Sequence, residues 1–167
     1  RILLSIPLLA AFAPAAFAQL VPDYAAPNRE FGATMVVTSD AGWRDKWNTP
    51  SDSLPRFETT DRVRTGQTVH VLTFVTNVGV YRDGTADVVC RVTAKRPDGT
   101  TSIDQPDVAC LRGELGQTSD RVYLTSAVLR FAPAPDDPRG DWTFTVALTD
   151  RVQNATFTVS KTFAVTD

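Results

Sequence analysis

Apolar and polar positions alternate along most of the chain after about residue 30. In Val69–Asn77, Val69, Val71, Thr73 and Val75 share one face, and His70, Leu72 and Phe74 share the other. Both faces are largely apolar, which predicts a central strand with little exposed surface. Ala86–Ala94 predicts a second strand, with Val88, Cys90 and Val92 on one face. Trp142, Phe144, Val146 and Leu148 line one face of a third. In the last strand Ala155, Phe157 and Val159 are followed in register by Phe163 and Val165. Lys161 is the exception in that register and predicts an edge or a bulge. Phe31–Thr38 predicts the first strand. Arg121–Phe131 predicts a strand whose apolar set changes phase near Ser126, which a bulge or a crossing between sheets would explain. Ser102–Gly116 has no regular alternation and predicts an irregular stretch with a short edge strand around Val108–Leu111.

Turn chemistry punctuates these runs. Asp83-Gly84 and Asp98-Gly99 supply the left-handed positions that hairpins need. Ala132–Gly140 is a Pro-rich connection. Ser39–Trp47 predicts one or two helical turns, with Ser39 or Asp40 as the N-cap. Thr49–Arg56 is a polar loop with two prolines. The expected fold is all-β: an antiparallel sandwich of about seven strands with a short helical insert after the first strand.

Residues 1–18 stand apart. Ile2–Phe17 is apolar and uncharged behind Arg1, and Ala16-Phe17-Ala18 fits a signal-peptidase site before Gln19. This predicts a cleaved signal peptide over 1–18, an extended N-terminal tether over 19–30 and one domain over 31–167. The stretch is short for a membrane span and holds Pro7 and Pro14. No other long apolar run is present, so no membrane span is expected once the leader is cleaved. The protein is expected in the periplasm or outside the cell.

The whole chain has 167 residues and a formal net charge of −2. Loss of Arg1 makes the remainder slightly more acidic. Without a basic surplus, a nucleic-acid partner is not expected. The two cysteines, Cys90 and Cys110, are most simply a disulfide in an oxidising compartment; the other reading is two buried thiols. Their spacing excludes a CxxC redox site and differs from an antibody-type bridge between sheets, so the bridge is expected to tie neighbouring elements.

Pro138-Arg139-Gly140-Asp141-Trp142-Thr143-Phe144-Thr145-Val146, then Thr149-Asp150 and Thr162-Phe163-Ala164-Val165, resembles the final two strands of bacterial extracellular immunoglobulin-like modules. Gly66-Gln67-Thr68-Val69 and Arg96-Pro97-Asp98-Gly99-Thr100 are similar to the same modules. The resemblance covers about two thirds of the expected mature chain. It implies an immunoglobulin-like β-sandwich serving adhesion, spacing or protein contact, and it specifies no ligand. The segment with two tryptophans departs from the simplest such modules.

Candidate chemistry is sparse. His70 is the sole histidine, so a Ser-His-Asp or Cys-His arrangement has to use it, and its strand neighbours are apolar. There is no HExxH and no His/Cys cluster for zinc. Gly113-Glu114-Leu115-Gly116 lacks the lysine and setting of a phosphate loop. Asp83, Asp98, Asp120, Asp136, Asp137, Asp141 and Asp150 fall in turns or at strand ends, where aspartate caps backbone groups. Asp136 and Asp137 lack the D-x-D-x-D-G frame of a calcium loop. Asn154-Ala155-Thr156 matches a glycosylation sequon and is read as chance. No enzyme activity, metal or cofactor is expected.

The candidate binding patch is aromatic: Trp43, Trp47 and Phe57. Trp43 and Trp47 are spaced i, i+4 and share one face of a helical turn. An exposed pair suits a protein partner or stacking on a sugar ring. The other reading, favoured because large aromatics usually bury, is that they plug one end of the sandwich. The expected function is therefore a non-catalytic exported module making protein contacts. The alternative is a carbohydrate-binding module using Trp43 and Trp47. The partner is an unidentified envelope protein or a glycan.

Overall fold

The computed structural model describes residues 24–25, 30–49, 55–115 and 121–167. The expected leader over 1–18, its cleavage site and most of the expected tether over 19–30 lie outside the described residues. Among those described, no helix is long and apolar enough to cross a membrane.

The elements in chain order are β1 (Tyr24–Ala25), β2 (Gly32–Thr38), α1 (Trp43–Asn48), β3 (Arg62–Arg64), β4 (Val69–Thr76), β5 (Val80–Tyr81), β6 (Thr85–Lys95), β7 (Thr101–Glu114), β8 (Val122–Leu124), β9 (Leu129–Phe131), β10 (Gly140–Asp150) and β11 (Ala155–Thr166). They form a β-sandwich. One sheet runs β3-β11-β10-β6-β7, and the other runs β2-β4-β8 with β9 also on β4. All pairings are antiparallel except β3 on β11. Tyr24–Ala25, inside the expected tether, pairs with β5.

The main core fills the space between the sheets. Phe144 stacks on Phe163 at 5.3 Å, and Phe131 packs against both of them and against Trp142. Val69, Val71 and Val75 face this core from β4. Leu72 and Phe74, from the opposite face of β4, belong to a second cluster with Trp43. The double apolar pattern of β4 therefore has a cause: one face meets the other sheet, and the outer face is covered by α1 and the segment around Phe57.

Two hairpin turns share one device. Asp83 Oδ1 accepts hydrogen bonds from the Thr85 amide and hydroxyl, and Asp98 Oδ1 does the same with Thr100. Gly84 and Gly99 take φ of 82° and 83°, open to glycine without strain. A larger tie uses Asp150, which is fully buried. Its carboxylate accepts from the Gly79, Val152 and Gln153 amides and from Gln153 Nε2. Gln153 Nε2 also donates to the Asn77 carbonyl. The β10–β11 turn is thereby fixed to the β4–β5 connection.

The structure departs from the sequence expectation at β7. The stretch read as irregular is a 14-residue strand. Its alternation is hidden by register shifts opposite Val88/Val89, Cys90/Val92 and Ala94/Lys95. Pro106 and Asp107 (φ 56°) lie at one of them. Such bulges twist an edge strand and suit Pro, whose missing N–H faces away from the ladder. Cys110 occupies the first bulge, since Val88 pairs with Leu111 and Val89 with Ala109. From there it forms the disulfide with Cys90, Cα–Cα 5.8 Å. The bridge joins neighbouring strands of one sheet, as its short spacing predicted.

The phase change near Ser126 is a break between β8 and β9. Both pair with β4, but two β4 residues, Leu72 and Thr73, are spanned by four residues of the other chain segment, Thr125 to Val128. Ser126 crosses to the other sheet: its amide donates to the Cys110 carbonyl and its hydroxyl to the Ala109 carbonyl. Lys161 pairs with Phe144 and so faces inward, yet it is exposed, because β3 extends the edge of β11 only along 164–166. A charge turned inward at an open edge discourages further strand pairing.

Candidate functional site

The helix that carries the two tryptophans is held from its N-terminal side. The Asp40 carboxylate accepts the Gly42 amide at 2.9 Å and pairs with Lys46. Asp40 thus sits two residues ahead of the capping position, which Gly42 occupies without a side-chain bond. The Lys46 ammonium, then the Gly42 and Glu58 backbone, hold the Asp40 carboxyl below its usual range. Thr38 Oγ1 accepts the Asp40 amide and donates to the Glu58 carbonyl, anchoring both approaches to α1.

All three residues of the aromatic patch meet on the outer face of β4. Trp43 is 4% exposed and tilts against His70 at 5.7 Å. Trp47 is half-buried, with its ring 5.1 Å from Phe74, and Phe57 stacks on Phe74 at 6.0 Å. They cover a sheet face; they do not plug an end of the sandwich. The Arg44 guanidinium lies 4.7 Å from the Trp43 ring centroid and shields one of its faces.

Beside this cover lies an open groove of about 860 Å³. It runs from α1, past His70, to the β8–β9 break and the edge of β7. Trp47, Leu124 and Val128 give it a half-buried apolar side. Arg44, Arg112 and Arg130 give it charge, and no carboxylate is among the described residues that line it. Arg112 is paired with Asp87 at 2.8 Å. Arg130 lies opposite His70 in the β4–β9 register and donates to Thr68 Oγ1 at 3.3 Å.

His70 is half-buried, and its Nδ1 has no hydrogen-bond partner among the described residues. Burial, then the charges of Arg130 and Arg44, push its imidazole below the usual histidine range. Thr125 Oγ1, on the same groove, is likewise buried without a partner. The arrangement can bind, through arginine donors and an apolar flank. Among the described residues no group of three His, Cys, Asp or Glu is placed to hold a metal ion.

Arg44, Arg112, Arg130 and Asn48 were not singled out from the sequence. Arg44 and Asn48 flank the tryptophans and were within reach of that reading. Arg130 and Arg112 come to the groove through strand pairings that no local pattern reveals.

No family model matches the chain, and no curated protein matches it in sequence. Solved structures give only loose likenesses. A CARDB domain from Pyrococcus furiosus, solved in complex with di-metal ions, is 11% identical at a TM-score of 0.40, covering 89% of this chain and 95% of that one. A Niemann-Pick type C2 protein from the Japanese carpenter ant is 9% identical at 0.41, covering 87% and 99%. A domain of an outer membrane lipoprotein from Porphyromonas gingivalis is 9% identical at 0.39, covering 83% and 100%. None of these lends the chain a function.

Proposed function

We propose that this protein is an exported, non-catalytic immunoglobulin-like module that makes protein contacts through the groove beside α1. The observation that carries this is the groove itself, where the cover of the β4 outer face stops short and leaves Trp47, Leu124 and Val128 half-buried beside charged side chains. Protein interfaces favour that mixture, with Trp and Arg enriched at their centres. The disulfide between Cys90 and Cys110 supports export to an oxidising compartment. The non-catalytic reading is supported by His70, packed on Trp43 with no carboxylate orienting its Nδ1 among the described residues. The alternative, a carbohydrate module, needs an exposed ring platform; Trp43, buried and covered by Arg44, does not offer one.

The test is a crosslinked pull-down of the mature protein from its own envelope extract, beside Trp47→Ala and the distant Thr158→Ala. A protein captured by wild type and Thr158→Ala but lost from folded Trp47→Ala is expected. Equal capture by all three, or capture of glycan alone, would overturn the reading.

A further inference from the structure

A chain of net charge −2 gathers three arginines on one groove whose described lining has no carboxylate. Arg112 is neutralised by Asp87, but Arg44 and Arg130 have no carboxylate within ion-pair distance among the described residues. Both are held in place without being neutralised. Arg44 rests on the Trp43 ring, and Arg130 is steadied by Thr68. Each leaves guanidinium donors without a carboxylate partner among the described residues.

A second observation is independent of charge. His70 Nδ1 and Thr125 Oγ1 are buried and unpartnered at this groove, and Thr125 is 2% exposed. Buried polar atoms in folded proteins are nearly always hydrogen-bonded; of the three unpartnered ones among the described residues, two belong to side chains that line this groove and the third is Thr73 Oγ1.

We propose that the occupant of the groove is an acidic peptide segment of the partner protein, its carboxylates on Arg44 and Arg130 and its apolar side chains against Trp47, Leu124 and Val128. This rests on the contact reading above and names the chemistry of the partner. Arginine matches carboxylates with paired, parallel hydrogen bonds. The main chain of a peptide offers both donors and acceptors to His70 and Thr125. A polyanionic sugar would match the arginines equally well, but it has no aliphatic side chains for Leu124 and Val128.

The test uses the mature protein on an array of ten-residue peptides that alternate Leu or Val with Glu, Gln or Lys, with polygalacturonate as the anionic sugar. Wild type is compared with Arg44→Glu, Arg130→Glu and Lys95→Glu, a reversal at the exposed end of β6. Binding that rises with Glu content, weakens with added salt and falls at least tenfold in Arg44→Glu and Arg130→Glu, but not in Lys95→Glu, is expected. Equal binding of Glu and Gln peptides, preference for polygalacturonate, or no binding would overturn the proposal. The pull-down separates the two failures. Loss of capture in Trp47→Ala together with a charge-blind array removes the acidic segment and leaves the contact. Equal capture by wild type and Trp47→Ala removes the contact itself.

Discussion

Replacing Asp150 by Ala should destabilise the fold more than any other single carboxylate change in the described residues. The side chain is fully buried and is the acceptor for Gly79 at 2.7 Å, Val152 at 2.9 Å, the Gln153 amide at 3.3 Å and Gln153 Nε2 at 2.7 Å. Gln153 is only half-buried, so water can replace its partner. Gly79 and Val152 are buried, so their amides are stranded. At about 1–3 kcal/mol for each buried donor left unsatisfied, the loss is about 4 kcal/mol. For a domain of this size that is roughly 12–16 °C in Tm. Asp150→Asn keeps the shape but turns an amide group toward N–H donors, and should lose about half as much. Asp141→Ala, at an exposed site on the same strand, should stay within about 0.5 kcal/mol. Urea denaturation and thermal melts followed by circular dichroism measure all three. A shift below about 3 °C for Asp150→Ala, or one equal to that of Asp141→Ala, would refute the assignment of Asp150 as the tie between the two turns.

Other outcomes follow from the same structure. The Cys90→Ala/Cys110→Ala double variant should lose about 3 kcal/mol by urea denaturation, the loop-closure value for a separation of 20 residues. Acidification from pH 7 to 5 should lower wild-type stability, because the folded pKa of His70 is depressed and the unfolded chain takes up the proton first; the loss begins as pH falls below the unfolded value near 6.5. In His70→Gln the urea midpoint should be flatter across that window. A further loss should set in below about pH 4, where Asp83, Asp98 and Asp104, all held below the usual carboxylate range by their hydrogen-bond partners, become protonated. Trp43→Ala should cost about 3–5 kcal/mol as a core truncation, and Trp47→Ala, half-buried, clearly less.

The sequence made the sandwich legible where the period-2 pattern is regular. β6 and β10 carry clean alternation, and the Asp-Gly turns mark the two ends of β6; β4 was legible as a strand apolar on both faces, and β11 as an alternation broken only at Lys161. β7 was hidden because its bulges shift the phase every few residues. The break at Ser126 was visible as a change of phase, but its bonds to Ala109 and Cys110 were not, because they join segments that only the fold brings together. The same holds for the site. The tryptophan pair stood out by its spacing, but it was expected to plug an end of the sandwich, and its place on Leu72 and Phe74 at the outer face of β4 was not read. Nor was the basic side of the groove, since Arg112 and Arg130 arrive on separate strands whose pairings are long-range.

The most direct measurement is site-specific photo-crosslinking in the native envelope, with benzoylphenylalanine at position 48, on the rim of the groove, and at position 158, on the far sheet. A defined protein adduct from position 48 and none from position 158 is predicted. No adduct from position 48, or equal adducts from both, would contradict the assignment of the groove as the contact surface.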